Sequence, residues 1–434
     1  MPPIRDTLVA AVLIGSLPFC FLRPFYGAIL WTILCFLNPH RLTWGSTRDL
    51  PVALMEAVPT ILGAIVFSRF WTRLPRGVFF ILVLWGWFTL TAMHATFTPA
   101  LMHYNQGTWF RWQVVSKILL MTIVVIGVVD TWERYRYLLF AIAGSFAFFV
   151  ITAVPWMIMT HGQFRLYGPK GTAVSDNNDF GLALNMTLPF FFFLAKAETD
   201  RRLKWFFGIL FVITIPAIFL TYSRGALVGL AAILFLMVLT LPNRIILLPI
   251  LVLAACVGAF MMPEKWQYRM DFSRDGAVVD KSALSRFNSW TYCWNLALDY
   301  PLTGAGFESF TQPLYDQYAP NREDLHGPHS VYFGVLAEQG LPGLLLYLSF
   351  VIWTLSRLYR IARQARRYGE DVVANYATML RFALVGFLCS GAFLGRAYFD
   401  YFFALVGCSL ILGRLWQDRM AEIQAEPELE EVDA

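Results

Sequence analysis

His326 and His329, in the run His-Gly-Pro-His-Ser330, close a polar stretch from about 262 to 329 in a chain otherwise built of apolar spans. A neutral imidazole at such a place can take a proton from a hydroxyl near neutral pH. The second chemical signal is guanidinium. Arg224 is the only charged residue from Trp205 to Asn243, and it stands where two apolar spans meet, in Thr-Tyr-Ser-Arg224-Gly225. An arginine at a helix start opposes the positive end of the helix dipole, so capping does not explain it. It either snorkels to lipid head groups or binds phosphate, whose oxygens match the guanidinium fork bidentately.

Further candidates surround these. Arg286 lies among Leu284, Phe287, Trp290, Trp294 and Leu298, the spacing of an amphipathic helix on a membrane surface, with Ser282 as its cap. It is either a second anion ligand or a solvated arginine on the polar face. Arg165 and Lys170 share one loop, followed by Asp176, Asn177, Asn178 and Asp179 just ahead of a span, where the Asp/Asn run serves as a helix cap or lines a polar site. Arg396 and Asp400 either pair with each other or close the far side of that site. His329 directly precedes an amphipathic run from Ser330 to Gln339 that Gly340 breaks, and Pro342 suits the first turn of the next span. The histidines lack a carboxylate or cysteine at ligand spacing, and there is no Walker loop, dinucleotide loop or nucleophile elbow, so neither metal nor cofactor is expected.

The elements that position these residues are membrane spans. With 58% hydrophobic and 15% charged residues, 39 phenylalanines in 434 positions and a mean hydropathy of +0.56, the chain is all-α and polytopic. Candidate spans of about 17 to 22 residues follow one another from Gly77–Phe97 to Tyr401–Leu412. Residues 7–37 and 55–68 add two or three more, the first stretch being one kinked helix or two short ones around Pro18 and Pro24. About twelve spans are expected, an even count that puts Arg5 on the cytoplasmic side. Basic loops at Arg69–Arg76, Lys196–Lys204 and Arg357–Arg367 mark that side. The polar block, the 160–177 loop and the turns at Ser223–Arg224 and Gly395–Asp400 then face outward. The organisation is N-terminal spans over 1–160, central spans over 161–261, the outer loop with short helices over 262–330, C-terminal spans over 331–416 and an acidic cytoplasmic tail over 417–434. The net charge of +5 reflects the basic loops and does not point to nucleic acid.

On these residues the chain resembles the O-antigen ligase and polymerase superfamily of bacterial inner-membrane glycosyltransferases. The similarity rests on Ser223-Arg224-Gly225 at a span junction, the Arg286 to Trp290 helix, the Gly304 to Phe310 turn, and His329-Ser330 followed by Glu338-Gln339-Gly340. Residues 1 to about 110 look like the N-terminal region of O-glycosylation ligases associated with exosortase systems. The resemblance implies a GT-C-like fold and metal-independent transfer of a glycan from undecaprenyl diphosphate to lipid A-core at the periplasmic face. It assigns Arg224 and Arg286 to the diphosphate and His329 to the acceptor hydroxyl as general base. Arg165, Lys170, Asn178, His326, Glu338, Arg396 and Asp400 are the expected substrate-binding neighbours, with Glu338 able to orient the histidine. A polymerase or a protein-glycosylating ligase would share this chemistry. A lipid or glycan transporter would use the same arginines only to bind, and would show paired halves, which are absent here.

Overall fold

The computed structural model describes residues 4–43, 45–68, 70–102, 107–241, 244–262, 264, 266–267 and 281–432. Arg69 and the 268–280 part of the polar block lie outside the described residues. Among those described, the chain is helical throughout. In lipid, backbone polar groups must be satisfied within the segment, and the helix does this without partners.

The N-terminal stretch forms two helices, α1 (Ile4–Leu22) and α2 (Pro24–Phe36). Pro24 supplies no backbone donor and starts a new helix after Arg23 leaves helical geometry. Both pack on α3 (Val52–Phe67), where the buried Glu56 carboxylate accepts from Ser16 Oγ (2.9 Å) and Cys20 Sγ (2.9 Å). Of the two arrangements expected for residues 7–37, the structure has the two short helices. Asp6 accepts from the Thr47 backbone N–H (3.1 Å), and Gly171 packs against the Arg41 and Arg48 side chains. The start of α1 therefore lies on the face of the 160–176 loop, opposite the side expected for Arg5.

The next spans are α4 (Val78–Phe97), α5 (Thr108–Val128), α6 (Trp132–Met159), α7 (Asn177–Ala197), α8 (Arg201–Leu220), α9 (Arg224–Leu239) and α10 (Arg244–Met261). The polar block contributes α11 (Lys281–Asp299) and α12 (Gln312–Tyr318). α13 (Val331–Arg367), α14 (Asp371–Gly391) and α15 (Asp400–Val432) follow, and α15 runs unbroken across the boundary expected at 416. Eight of the described helices are long and apolar enough to cross a membrane, with α2, α3 and α9 as shorter apolar helices.

The most buried spans are α7 and α14, which pack on each other and on α9. Their crossing is built from small residues. Gly181 meets Ala226 and Thr221, Gly229 meets Ser390 and Asn185, and Gly386 meets Ile233. Lipid offers no hydrophobic drive between helices, so close backbone approach and buried hydrogen bonds hold such a crossing. Asn185 Nδ2 donates to Ala226 O (2.7 Å) and Ser390 Oγ (3.0 Å), and Thr187 Oγ1 lies 3.0 Å from Tyr401 Oη. At the opposite end of the bundle, buried Arg414 donates to the carbonyls of Ile126, Arg73 and Val129, tying α15 to the end of α5.

Single cysteines placed at Arg5 and at Lys170 should react with a membrane-impermeant maleimide from one side of the membrane, and a cysteine at Arg202 from the other. Labelling of positions 5 and 202 from the same side would refute this placement of α1.

Candidate functional site

The site starts at the turn between α8 and α9. Tyr222 adopts φ 57°, a left-handed conformation uncommon outside glycine. Its hydroxyl donates to Gly162 O (2.7 Å), while Leu166 N–H donates to Leu220 O (2.7 Å) and Asn177 Nδ2 to Thr221 O (2.7 Å). The 160–176 loop thus clamps the turn. Ser223 caps α9 by accepting from Ala226 N–H (3.3 Å). Arg224 is the first residue of α9, and Gly225 lets this helix end press against Phe393 and the Ser390 carbonyl.

α11 presents its polar face inward, onto the rest of the polar block. Asn288 Nδ2 donates to Asn321 O (2.8 Å), and the Tyr315 hydroxyl donates to Ser289 Oγ (3.0 Å). Leu284, Phe287, Trp294 and Leu298 stay exposed, as a helix lying in a membrane interface requires. Arg286 and Trp290 project between these two faces, one helical turn apart. Together with Arg224, Gly225, Val228 and Phe393 they line a cavity of about 230 Å³ whose walls are otherwise mostly apolar.

Trp290 connects this cavity to the histidine segment. Its Nε1 donates to Pro328 O (3.0 Å), and its ring stacks on Phe333 with centroids 5.3 Å apart. Pro328 is wedged between Gly334 and Gly395. His329 follows at φ 43°, a left-handed backbone held by packing on both sides. Its ring centroid lies 6.0 Å from that of His326, whose Nδ1 is 2.9 Å from Asp324 Oδ1. Burial, and then the charges of Arg286 and His326, lower the His329 pKa from the ordinary 6.5, while the Asp176 and Asp179 carboxylates act in the opposite sense. The imidazole is therefore held in its neutral, proton-accepting form at pH values where a free one is charged.

Glu338 serves a different junction. Its carboxylate accepts from Glu308 N–H (2.9 Å), and the backbone carbonyls of Ala337 and Glu338 accept from Ala305 (2.9 Å) and Gly306 (3.0 Å). Gly304, Gly306 and Gly340 all have positive φ. A Cβ on Gly304 would lie 2.6 Å from Ala337 O, and one on Gly340 would collide with Leu302 O. Gln339 adds bonds to Thr91 (2.5 Å) and Tyr398 (3.0 Å). The Glu-Gln-Gly run fastens the Gly turn to the helix kink, and Glu338 makes no hydrogen bond to His329 among the described residues.

The remaining candidates spread out. Arg396 pairs with Asp179, not with Asp400, and so pins the α14–α15 turn to the start of α7. Asp400 instead accepts from the backbone N–H of Tyr401 (2.8 Å). Asp176 caps α7 by accepting from Asn178 N–H (2.8 Å), the capping reading of that run. Arg165 lines a separate cavity of about 250 Å³ with Trp156 and Phe180, and exposed Lys170 lies beside the Arg41–Arg48 loop. Three residues earn a place that sequence reasoning left unassigned: Trp290, Phe393 and Gly395. Only Trp290 carried a signal, four positions after Arg286 and hence on the same helix face.

A family model described as O-antigen ligase matches residues 209–348, and a family of unknown function matches residues 4–199. None of the curated proteins matches the chain. Arg224, Arg286 and His329 all fall inside the first matched segment, whereas Arg165, Lys170, Arg396 and Asp400 fall outside it.

Replacing Gly340 with Ala should lower stability by about 1–3 kcal/mol for a backbone conformation that essentially only glycine adopts, with the Leu302 collision added, and a lower melting temperature of the purified protein would register it. A histidine NMR titration should place the His329 midpoint below 6.5 and move it upward in Arg286→Gln, which removes one of the two charges opposing protonation.

Proposed function

Through residues 209–348 this chain belongs to the O-antigen ligase superfamily, and from that premise we propose that it is a lipid-linked glycan ligase that moves O-antigen polysaccharide from undecaprenyl diphosphate to lipid A-core, at the periplasmic face of the bacterial inner membrane. One observation carries the reading: Arg224 and Arg286 line a single, largely apolar cavity, and Trp290 in its wall hydrogen-bonds the residue before His329. The two arginines hold the diphosphate, and the apolar walls take the first isoprene units of the carrier.

Displacement is then a single step. The acceptor hydroxyl oxygen forms a bond to the anomeric carbon as the bond from that carbon to the diphosphate oxygen breaks, and configuration inverts. His329 takes the hydroxyl proton. The electron pair of the broken bond leaves on the polyprenyl diphosphate, whose growing charge Arg224 and Arg286 neutralise. Fixed cations in a partly desolvated site stabilise developing charge without reorganisation, which is where the rate advantage lies. The lowered His329 pKa serves the same end, since only the neutral ring accepts the proton. Arg396, already matched to Asp179, is a positioning residue in this scheme, as is Glu338.

Purified protein reconstituted with lipid-linked glycan and lipid A-core should form ligated product, and His329→Ala should lose about 10²- to 10⁴-fold in rate. Arg224→Lys should fall well below wild type, because an ammonium cannot reproduce the bidentate fork. Undiminished turnover in His329→Ala would end the base assignment. In a deletion strain, lipopolysaccharide core without O-antigen supports the ligase. Core bearing a single repeat would indicate a polymerase, and an intact ladder with unglycosylated pilin a protein ligase.

A further inference from the structure

A second cavity stands apart from this site. It is an apolar groove of about 670 Å³ between α7 and α8, lined by the contacting rings of Phe192 and Phe211 together with Gly208. Lys196, Arg201 and Lys204 stand at one end, beside the exposed Trp205. Asp179, near the reactive residues, and Lys196 are 17 residues apart on one helix, about 26 Å at 1.5 Å per residue, so the groove opens at the opposite face of the bundle.

Among the described residues, the nearby carboxylates are engaged elsewhere. Glu198 is buried and committed to Arg136 through two hydrogen bonds (3.0 and 2.5 Å). Asp200 caps α8 by accepting from Arg202 N–H (2.7 Å). No ion pair joins Lys196, Arg201 or Lys204 to a carboxylate among the described residues. Three exposed cations above a hydrocarbon-lined slot, with a tryptophan at the same level, match a ligand with a negative head and aliphatic tails.

We propose that this groove is a binding site for an anionic diacyl phospholipid of the leaflet opposite the reactive face, its head held by Lys196, Arg201 and Lys204 and an acyl chain lying along Phe192, Gly208 and Phe211. The full-length protein, delipidated in detergent, is titrated with dioleoylphosphatidylglycerol, dioleoylphosphatidylcholine or undecaprenyl phosphate, and bound lipid is counted by native mass spectrometry. Wild type should retain phosphatidylglycerol at least tenfold better than phosphatidylcholine. At about 1 kcal/mol per interfacial cation, the triple variant K196Q/R201Q/K204Q should bind phosphatidylglycerol on the order of 100-fold more weakly.

Gly208→Leu supplies a second arm. A side chain there meets open space and leucine favours the helix over glycine, so this variant should keep its lipid-free melting temperature while losing the bound lipid. Equal retention of the two phospholipids, full binding by the folded Gly208→Leu protein, or displacement of phosphatidylglycerol by undecaprenyl phosphate at equal concentration would each overturn the assignment.

Discussion

Close approach of helix backbones at small residues is the constraint on which the rest of this molecule depends. Where α7, α9 and α14 cross, Gly181, Gly229 and Gly386 stand against Ala226, Ser390 and Ile233, and any larger side chain would push the helices apart. Hydrocarbon solvates a leucine as well as a neighbouring helix does, so association inside lipid comes from packing and from hydrogen bonds such as those of Asn185. The consequence appears at the end of the crossing nearest the polar block. There Gly225 meets Phe393, and Gly395 meets Pro328 and the His329 backbone. The start of α9 and the backbone of His329 ahead of α13 are thereby both held against the α14–α15 turn.

Two attachments of the polar block to this frame divide the work. One is the joint of Gly304, Gly306 and Gly340, where positive-φ glycines let the turn hydrogen-bond directly to the kinked start of α13. The other is Trp290, which ties the amphipathic α11 to Pro328. The first fixes the height of the block over the bundle; the second fixes Arg286 beside Arg224. Left-handed backbone at Tyr222 and His329 marks two sharp turns of the chain, one just ahead of α9 and one just ahead of α13.

Arginine plays three distinct parts in this chain. Arg414 satisfies orphan carbonyls deep in the bundle, and Arg396 neutralises Asp179 at a turn. Arg224 and Arg286 line a cavity. In sequence all four are isolated cations in or near apolar segments, and their type alone does not separate them. What separates them is whether carbonyls, a carboxylate or a cavity lies within reach.

The sequence by itself determined the helical, membrane-embedded character, the positions of the main spans, the polar block with its surface helix, and the break at Gly340. Each of these follows from local properties: hydrophobic length, apolar spacing, and glycine or proline at a break. The same local reasoning singled out Arg224, Arg286 and His329, because a lone charge or an imidazole beside an apolar span stands out from its neighbours. Only the tertiary structure decided the partners. It paired Arg396 with Asp179 instead of Asp400, turned Glu338 toward Glu308, separated Arg165 and Lys170 from the cavity, and placed the start of α1 on the face of the 160–176 loop. These depend on contacts between residues far apart in the chain, set by how closely glycine-lined helices approach, and one-dimensional periodicity carries no information about such distances.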